Sequence, residues 1–166
     1  MNIPVIAAKA KQVLDDNQIH DPFVNVFDIA AAEGIAIKYR NFPADVRDVS
    51  GFYFQKDKTI YLNVEDSAER QVFTIAHELG HYFLEHKPDE YGVYRRLNNY
   101  EGVKQEKERE ADCFAANLLM PEKMVKEELE KYPFLKGDSA PLLSLRFGVS
   151  SSAMRNRLKN LGVIKR

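Results

Sequence analysis

Apolar and polar positions change period several times along this chain, and each change marks an element. From residue 3 to residue 17, apolar side chains at Ile6, Val13 and Leu14 recur among alanines and lysines, a spacing that predicts a helix. Phe23-Val24-Asn25-Val26-Phe27 leads into a second helix over residues 28–33, which Gly34 ends. The period then shortens to two. Ile35, Ile37 and Tyr39 alternate with Ala36 and Lys38, and residues 51–54 and 59–62 flank the polar stretch 55–58, which predicts one strand followed by a hairpin.

Asp66-Ser67-Ala68-Glu69 reads as a capping box. Behind it Val72, Phe73, Ile75 and Ala76 run through His77-Glu78-Leu79-Gly80-His81 to Tyr82-Phe83-Leu84. A helix this apolar on most sides is buried, so its histidines are expected inside the protein. Pro88 and residues 89–102, with Gly92, Asn98 and Asn99, predict a long loop carrying Tyr91, Tyr94 and Tyr100, a candidate wall or lid for a neighbouring site. A helix over 105–120 follows, Pro121 restarts another as far as Tyr132, and Pro133-Phe134-Leu135-Lys136-Gly137 breaks the pattern. Residues 142–147, a Gly148-Val149-Ser150 turn and residues 151–161 predict two short helices in a helix-turn-helix arrangement. The fold expected from this order is α+β, with N-terminal helices, a small three-stranded and mainly antiparallel sheet, and two long helices. It divides into a main domain over 1–136 and a helical element over 137–166 packed on it.

Composition narrows the class. A chain of 166 residues, 45% hydrophobic and 11% aromatic, suits one domain with an ordinary packed core. Its 24 basic and 25 acidic residues leave a net charge of −1, so no whole-protein field favours nucleic acid. The balance is uneven, because residues 137–166 hold Arg146, Arg155, Arg157, Lys159, Lys165 and Arg166 against Asp138 alone. The single cysteine, Cys113, forms no internal disulfide and suits a reducing compartment. The start of the chain does not read as a signal peptide and no stretch approaches a membrane span, so a soluble, cytoplasmic protein without a membrane partner is expected.

The chemistry centres on His77-Glu78-Leu79-Gly80-His81. Two imidazoles four residues apart share one face of a helix and can hold one zinc ion, and Glu78 between them is placed to act as a base on water. A catalytic zinc needs a third protein ligand. The metzincin pattern fails, since Leu84 and Lys87 stand where glycine and histidine belong. His86 lies about 140° around the helix from His81, pointing away unless the helix ends first, and reads as a helix-end residue. Downstream, Glu108 and Asp112 share the apolar stripe of Ala111, Ala115, Leu118 and Leu119, while Glu106, Glu110 and Asn117 fall on another. A carboxylate on a core-facing stripe is costly unless its charge is compensated, and a divalent cation compensates it. Asp112 is then placed to accept the free N–H of a ligating imidazole. Gly80 permits close approach of a neighbouring element, and Cys113, off the stripe, reads as a small buried residue.

Glu108-Arg109-Glu110-Ala111-Asp112 fits the E-x-x-x-D pattern of gluzincin-type zinc peptidases. With residues 72–81, the run EREADCFAANLLMP over 108–121 and the Ser50-Gly51 hairpin, the chain resembles the ImmA/IrrE family of metallo-endopeptidases over nearly its whole length. The resemblance implies a zincin-like (minigluzincin) fold, Zn2+ held by His77, His81 and Glu108, Glu78 as catalytic base, Asp112 behind a ligand, and a protein substrate. Family members are commonly encoded on phages and mobile elements beside a helix-turn-helix repressor that they inactivate by cleavage, so the implied partner is such a repressor or an antitoxin. The best-known relatives carry asparagine where this chain has Asp112, a departure that keeps the acceptor and adds charge. The alternative is a non-catalytic zinc protein that antagonises such a regulator by binding alone. The strand edge around residues 50–54 is a candidate for taking an extended substrate as an added strand, and Tyr91, Tyr94 and Tyr100 are candidates for stabilising an oxyanion. Phe147-Gly148-Val149-Ser150 and the basic helix after it look like part of a DNA-binding unit. Leu142, Leu145, Val149, Met154, Leu158 and Leu161 equally suit packing on the main domain with the arginines left outward. One module over 142–166 with six basic residues would bind DNA weakly.

Overall fold

Asparagines start the two N-terminal helices. In the computed structural model, which describes residues 1–43, 49–87, 103–132 and 138–164, Asn2 Oδ1 accepts the Val5 N–H to open α1 (Ile3–Asp16). Asn25 Oδ1 accepts the Phe27 N–H at 3.2 Å to open α2 (Val26–Ala32). Ile6, Ala10, Val13 and Leu14 form the buried stripe of α1, and Ile29 and Ala30 that of α2. The tyrosine-bearing loop and the break at 133–137 lie outside the described residues.

After Gly34 the chain enters β1 (Ala36–Arg40), and β2 (Gly51–Phe54), a short 3-10 turn and β3 (Thr59–Asn63) complete a three-stranded sheet. The hairpin forms as expected, with Gly51 opposite Leu62 and Phe54 opposite Thr59. The sheet is nevertheless mixed rather than mainly antiparallel, because β1 pairs in parallel with β3, Ala36 opposite Thr59 and Arg40 opposite Asn63. Alternation along a strand reports its two faces and nothing about the direction of its neighbour. Burial explains the order. Ile60 and Leu62 are fully buried and put β3 in the centre, whereas β1 is largely exposed and takes one edge, leaving β2 the other.

The long helix α3 (Ala68–Phe83) packs against this sheet. Its cap is Ser67, whose Oγ accepts the Arg70 N–H, so Glu69 stands one position too early for a capping box and Asp66 pairs with Arg70 at 3.3 Å instead. Behind α3 lies α4 (Val103–Leu119), followed by α5 (Glu122–Glu130), α6 (Ala140–Phe147) and α7 (Ser151–Asn160). The α3–α4 crossing depends on Gly80. A Cβ there would sit 3.1 Å from the Cα and carbonyl oxygen of Ala111 and 3.2 Å from the Phe114 ring, so any side chain would push the two backbones apart by a few tenths of an ångström. Ile75, Leu79, Phe114 and Leu118 fill the seam around it, and α1 covers the far side of α4.

The last two helices share this core through Leu143, Phe147, Met154 and Leu158. Arg157, expected outward, turns in. Its guanidinium donates to the Met120 carbonyl at 2.9 Å and to Asn117 Oδ1 at 2.8 Å, tying α7 to the α4–α5 junction. Arg155 pairs with Asp138. Arg157 lies three residues after Met154 and beside Leu158, so burying those two brings it to the core side of the helix, and the two acceptors offset the desolvation of the guanidinium. No helix among the described residues is long and apolar enough to cross a membrane.

Candidate metal centre

One helical turn of α3 and the facing turn of α4 supply the site. His77 and His81 are 1% and 2% exposed. Their Nε2 atoms lie 3.1 Å apart, with His77 Nε2 3.2 Å from Glu108 Oε2 and His81 Nε2 3.4 Å from Glu108 Oε1. Glu108 Oε2 is buried yet accepts no well-aligned hydrogen bond among the described residues. Two ring nitrogens aimed at each other beside an unsatisfied carboxylate oxygen make a poor hydrogen-bonded cluster. They suit a shared cation well. Tetrahedral zinc with nitrogen and oxygen donors at about 2.0–2.1 Å requires donor separations of about 3.3 Å, close to the three distances found. The ligand atoms of all three residues fall within 4.8 Å of one another and could hold a metal ion.

Each imidazole is held from behind. His77 Nδ1 lies 2.9 Å from Asp112 Oδ1, one turn beyond Glu108 on α4. His81 Nδ1 lies 2.9 Å from His86 Nδ1, and His86 Nε2 lies 3.2 Å from Glu110 Oε2. Helical periodicity overlooked this second contact because α3 stops at Leu84. Glu85 adopts φ 53°, which reverses the chain and folds His86 back, buried, against His81. Pro88 was the available signal, since a proline disfavours helix at the residue before it and forces an end near Lys87.

The charges follow from these contacts. Burial opposes a charge on His77, but Asp112 and Glu108 outweigh it and push its pKa up to about 9. Burial pulls His81 down to about 4 in spite of Glu108. Burial also opposes ionisation of Glu108, yet the two imidazoles hold its carboxyl down at about 2. The cluster is therefore an acceptor of positive charge, anionic on the α4 side and able to take a proton or a metal ion on the α3 side.

Glu78, 2% exposed, is fixed by the sheet: its Oε2 accepts the Tyr53 N–H at 3.0 Å. That contact needs β2 close to α3, and Gly51 provides it, since a Cβ there would stand 2.7 Å from Thr74 Cγ2. The Tyr53 ring meets Tyr82 edge-on with centroids 6.0 Å apart, and the Tyr82 hydroxyl donates to Glu33 Oε2 at 2.9 Å. The structure thus brings His77, Glu78, His81, Glu108 and Asp112 into one neighbourhood. Cys113 is half-buried, beside Asn117, and is not in the ligand group.

Residues 31–159 match a peptidase family described as the IrrE N-terminal-like domain. The metallopeptidase ImmA of Bacillus subtilis is 30% identical over 141 residues, which cover 83% of this chain and 77% of the relative. The radiation response metalloprotease IrrE of Deinococcus radiodurans is 34% identical over 107 residues, covering 63% of this chain and 30% of the longer protein. Among solved structures, a Mycobacterium tuberculosis transcriptional regulator aligns over 93% of this chain and 46% of its own length with a TM-score of 0.62, and its 17% identity makes that a likeness of fold alone. The chain thus spans most of ImmA but under a third of IrrE and under half of the regulator. A family match over most of the length, a metallopeptidase relative matched over most of its own, and two buried histidines converging on a partly buried glutamate give one conclusion: this chain belongs to the ImmA/IrrE family of metalloproteases.

Proposed function

We propose that this chain is a zinc-dependent endopeptidase whose substrate is a helix-turn-helix repressor or antitoxin encoded nearby. In this reading residues 1–136 form a zincin-like, minigluzincin domain and residues 137–166 a helix-turn-helix-like element packed on it. One observation carries the reading: two imidazole nitrogens face the two oxygens of the Glu108 carboxylate, one of which is buried with no hydrogen-bond partner among the described residues, while a buried carboxylate, Glu78, is pinned on the same helix turn as the histidines.

His77, His81 and Glu108 hold the ion, and Asp112 accepts the His77 Nδ1–H and fixes that ring. Zinc, when bound, polarises a peptide carbonyl and lowers the pKa of water to near neutrality. Glu78 would take the proton from the attacking water as the water oxygen adds to the peptide carbonyl, then return it to the departing amide nitrogen. Tyr53 orients this base from the outer strand of the sheet, so a substrate strand added along β2 runs past Glu78.

A protein that acted by binding alone would need Glu78 only as an acceptor for the Tyr53 N–H, a role a neutral glutamine fills without burying a charge. Direct DNA contact through α7 is disfavoured because Arg157 and Arg155 are engaged within the chain. The substrate class rests on the family resemblance, and a transcriptional regulator as substrate puts the activity in the cytoplasm. The test is to incubate the neighbouring regulator with zinc-loaded protein, with chelated protein, and with chelated protein given zinc again. A defined fragment in the first and third samples supports the proposal. Intact regulator in all three contradicts it.

A further inference from the structure

Resting on the metal-centre reading above, the contacts behind His81 fix a chain of proton positions. A ring nitrogen that gives its lone pair to a cation carries no proton, so with Nε2 facing the ion a neutral His81 holds its hydrogen on Nδ1. His86 Nδ1, 2.9 Å away, must then be the acceptor. That places the His86 hydrogen on Nε2, where Glu110 Oε2 at 3.2 Å accepts it. Every link has one donor facing one acceptor, and neither imidazole carries an extra proton.

We propose that His86, oriented by Glu110, is the positioning residue for His81, fixing its tautomer and the direction of its ring. The two sides of the centre are then built differently. His77 is backed directly by the Asp112 carboxylate, whereas His81 is backed by a neutral imidazole with the carboxylate one ring further out. The placement on α4 accounts for this. Asp112 follows Glu108 by one full turn and shares its face, while Glu110 points some 200° away around the helix and reaches the site only because the chain reversal at Glu85 sets His86 outside the α3–α4 seam. Buried at 9% exposure, His86 could serve only to fill space. Two isosteric substitutions separate filling from positioning. His86→Asn keeps an acceptor at the place of Nδ1 and loses reach to Glu110. His86→Gln keeps more volume and a polar end at the place of Nε2 but offers nothing to His81.

The experiment measures zinc affinity by competition with a chromogenic chelator, together with the visible spectrum of the cobalt-substituted protein, for wild type and for His86→Asn, His86→Gln and His86→Ala. Positioning predicts zinc held roughly ten- to a hundredfold more weakly by the Gln and Ala variants, with an altered cobalt spectrum, and near wild type by Asn. Gln binding as wild type, or Asn weakened as far as Ala, overturns the proposal. The Asn and Gln pair decides even if the Ala variant does not fold. Wild type and His77→Ala run alongside isolate the underlying reading: less than one zinc per wild-type chain, or unchanged uptake in His77→Ala, would remove the metal centre itself and the role of His86 with it.

Discussion

The proton on His77 gives the metal centre a pH signature that can be measured without any substrate. In metal-free protein, burial disfavours the charged ring, but Asp112 at 2.9 Å and Glu108 at 3.2 Å overcome this and raise its pKa to about 9. A zinc ion needs the Nε2 lone pair, so uptake near neutral pH must expel that proton. The logarithm of the zinc affinity then rises by about one unit per pH unit, roughly hundredfold between about pH 6 and about pH 8, and levels off above about pH 9. His81, pulled down to about 4, is already neutral over this range and adds no slope. Stability moves the other way. The folded pKa lies above the ordinary 6.5, so protonation of His77 stabilises the metal-free fold by about 3 kcal/mol below its ordinary pKa, a contribution lost as the pH rises through about 9. Asp112→Asn removes the carboxylate charge, lowers the His77 pKa and flattens the slope near neutrality. Competition titrations at several pH values read the slope, and calorimetry in buffers of different protonation enthalpy counts the protons released, about one at neutral pH. Zinc affinity that did not change between about pH 6 and about pH 8, or uptake with no proton released, would refute the reasoning.

Three packing predictions follow from the same contacts. Arg157→Met removes the donors to the Met120 carbonyl and Asn117 and should cost about 2–3 kcal/mol in urea unfolding; a loss under about 0.5 kcal/mol would show that α7 is not tied down through this residue. Gly80→Ala sets a methyl group 3.1 Å from the Ala111 backbone, so it should destabilise the fold by about 1–3 kcal/mol and also weaken zinc binding, because the α3–α4 spacing sets the ligand distances; wild-type affinity in a destabilised variant would separate the two effects and contradict that link. Ser67→Ala removes the α3 cap and should lower stability by about 1 kcal/mol, whereas Asp66→Ala should cost less, and the reverse order would return the cap to Asp66.

Periodicity put His77 with His81 on one helix face and Glu108 with Asp112 on another, because each side chain direction is fixed by its own helix and helices repeat regularly; that the two faces share one ion came from the family resemblance. It was also enough for the hairpin, where two short apolar runs flank a polar turn. What it could not supply lies where elements meet. The parallel pairing of β1 depends on which strand occupies the buried centre, a property of the assembled sheet. The contact of His86 with His81 depends on one residue, Glu85, leaving helical geometry. The inward turn of Arg157 depends on two acceptors contributed by another helix, Met120 O and Asn117 Oδ1, that no local pattern announces. The hold of Tyr53 on Glu78 is a backbone contact and leaves no trace in residue type, although Gly51, the small residue that permits it, stands in plain sight.

The central claim is that Glu78 works as the base beside a metal held by His77, His81 and Glu108. The most direct test compares wild type with Glu78→Gln, each with its zinc content measured, against the neighbouring helix-turn-helix regulator, reading products by intact-mass spectrometry. Glutamine keeps an acceptor for the Tyr53 N–H and cannot take a proton, so the account predicts equal zinc content and cleavage slower by about 10²–10⁴-fold, the usual contribution of a general base. Cleavage by Glu78→Gln at the wild-type rate, with zinc in place, would contradict it.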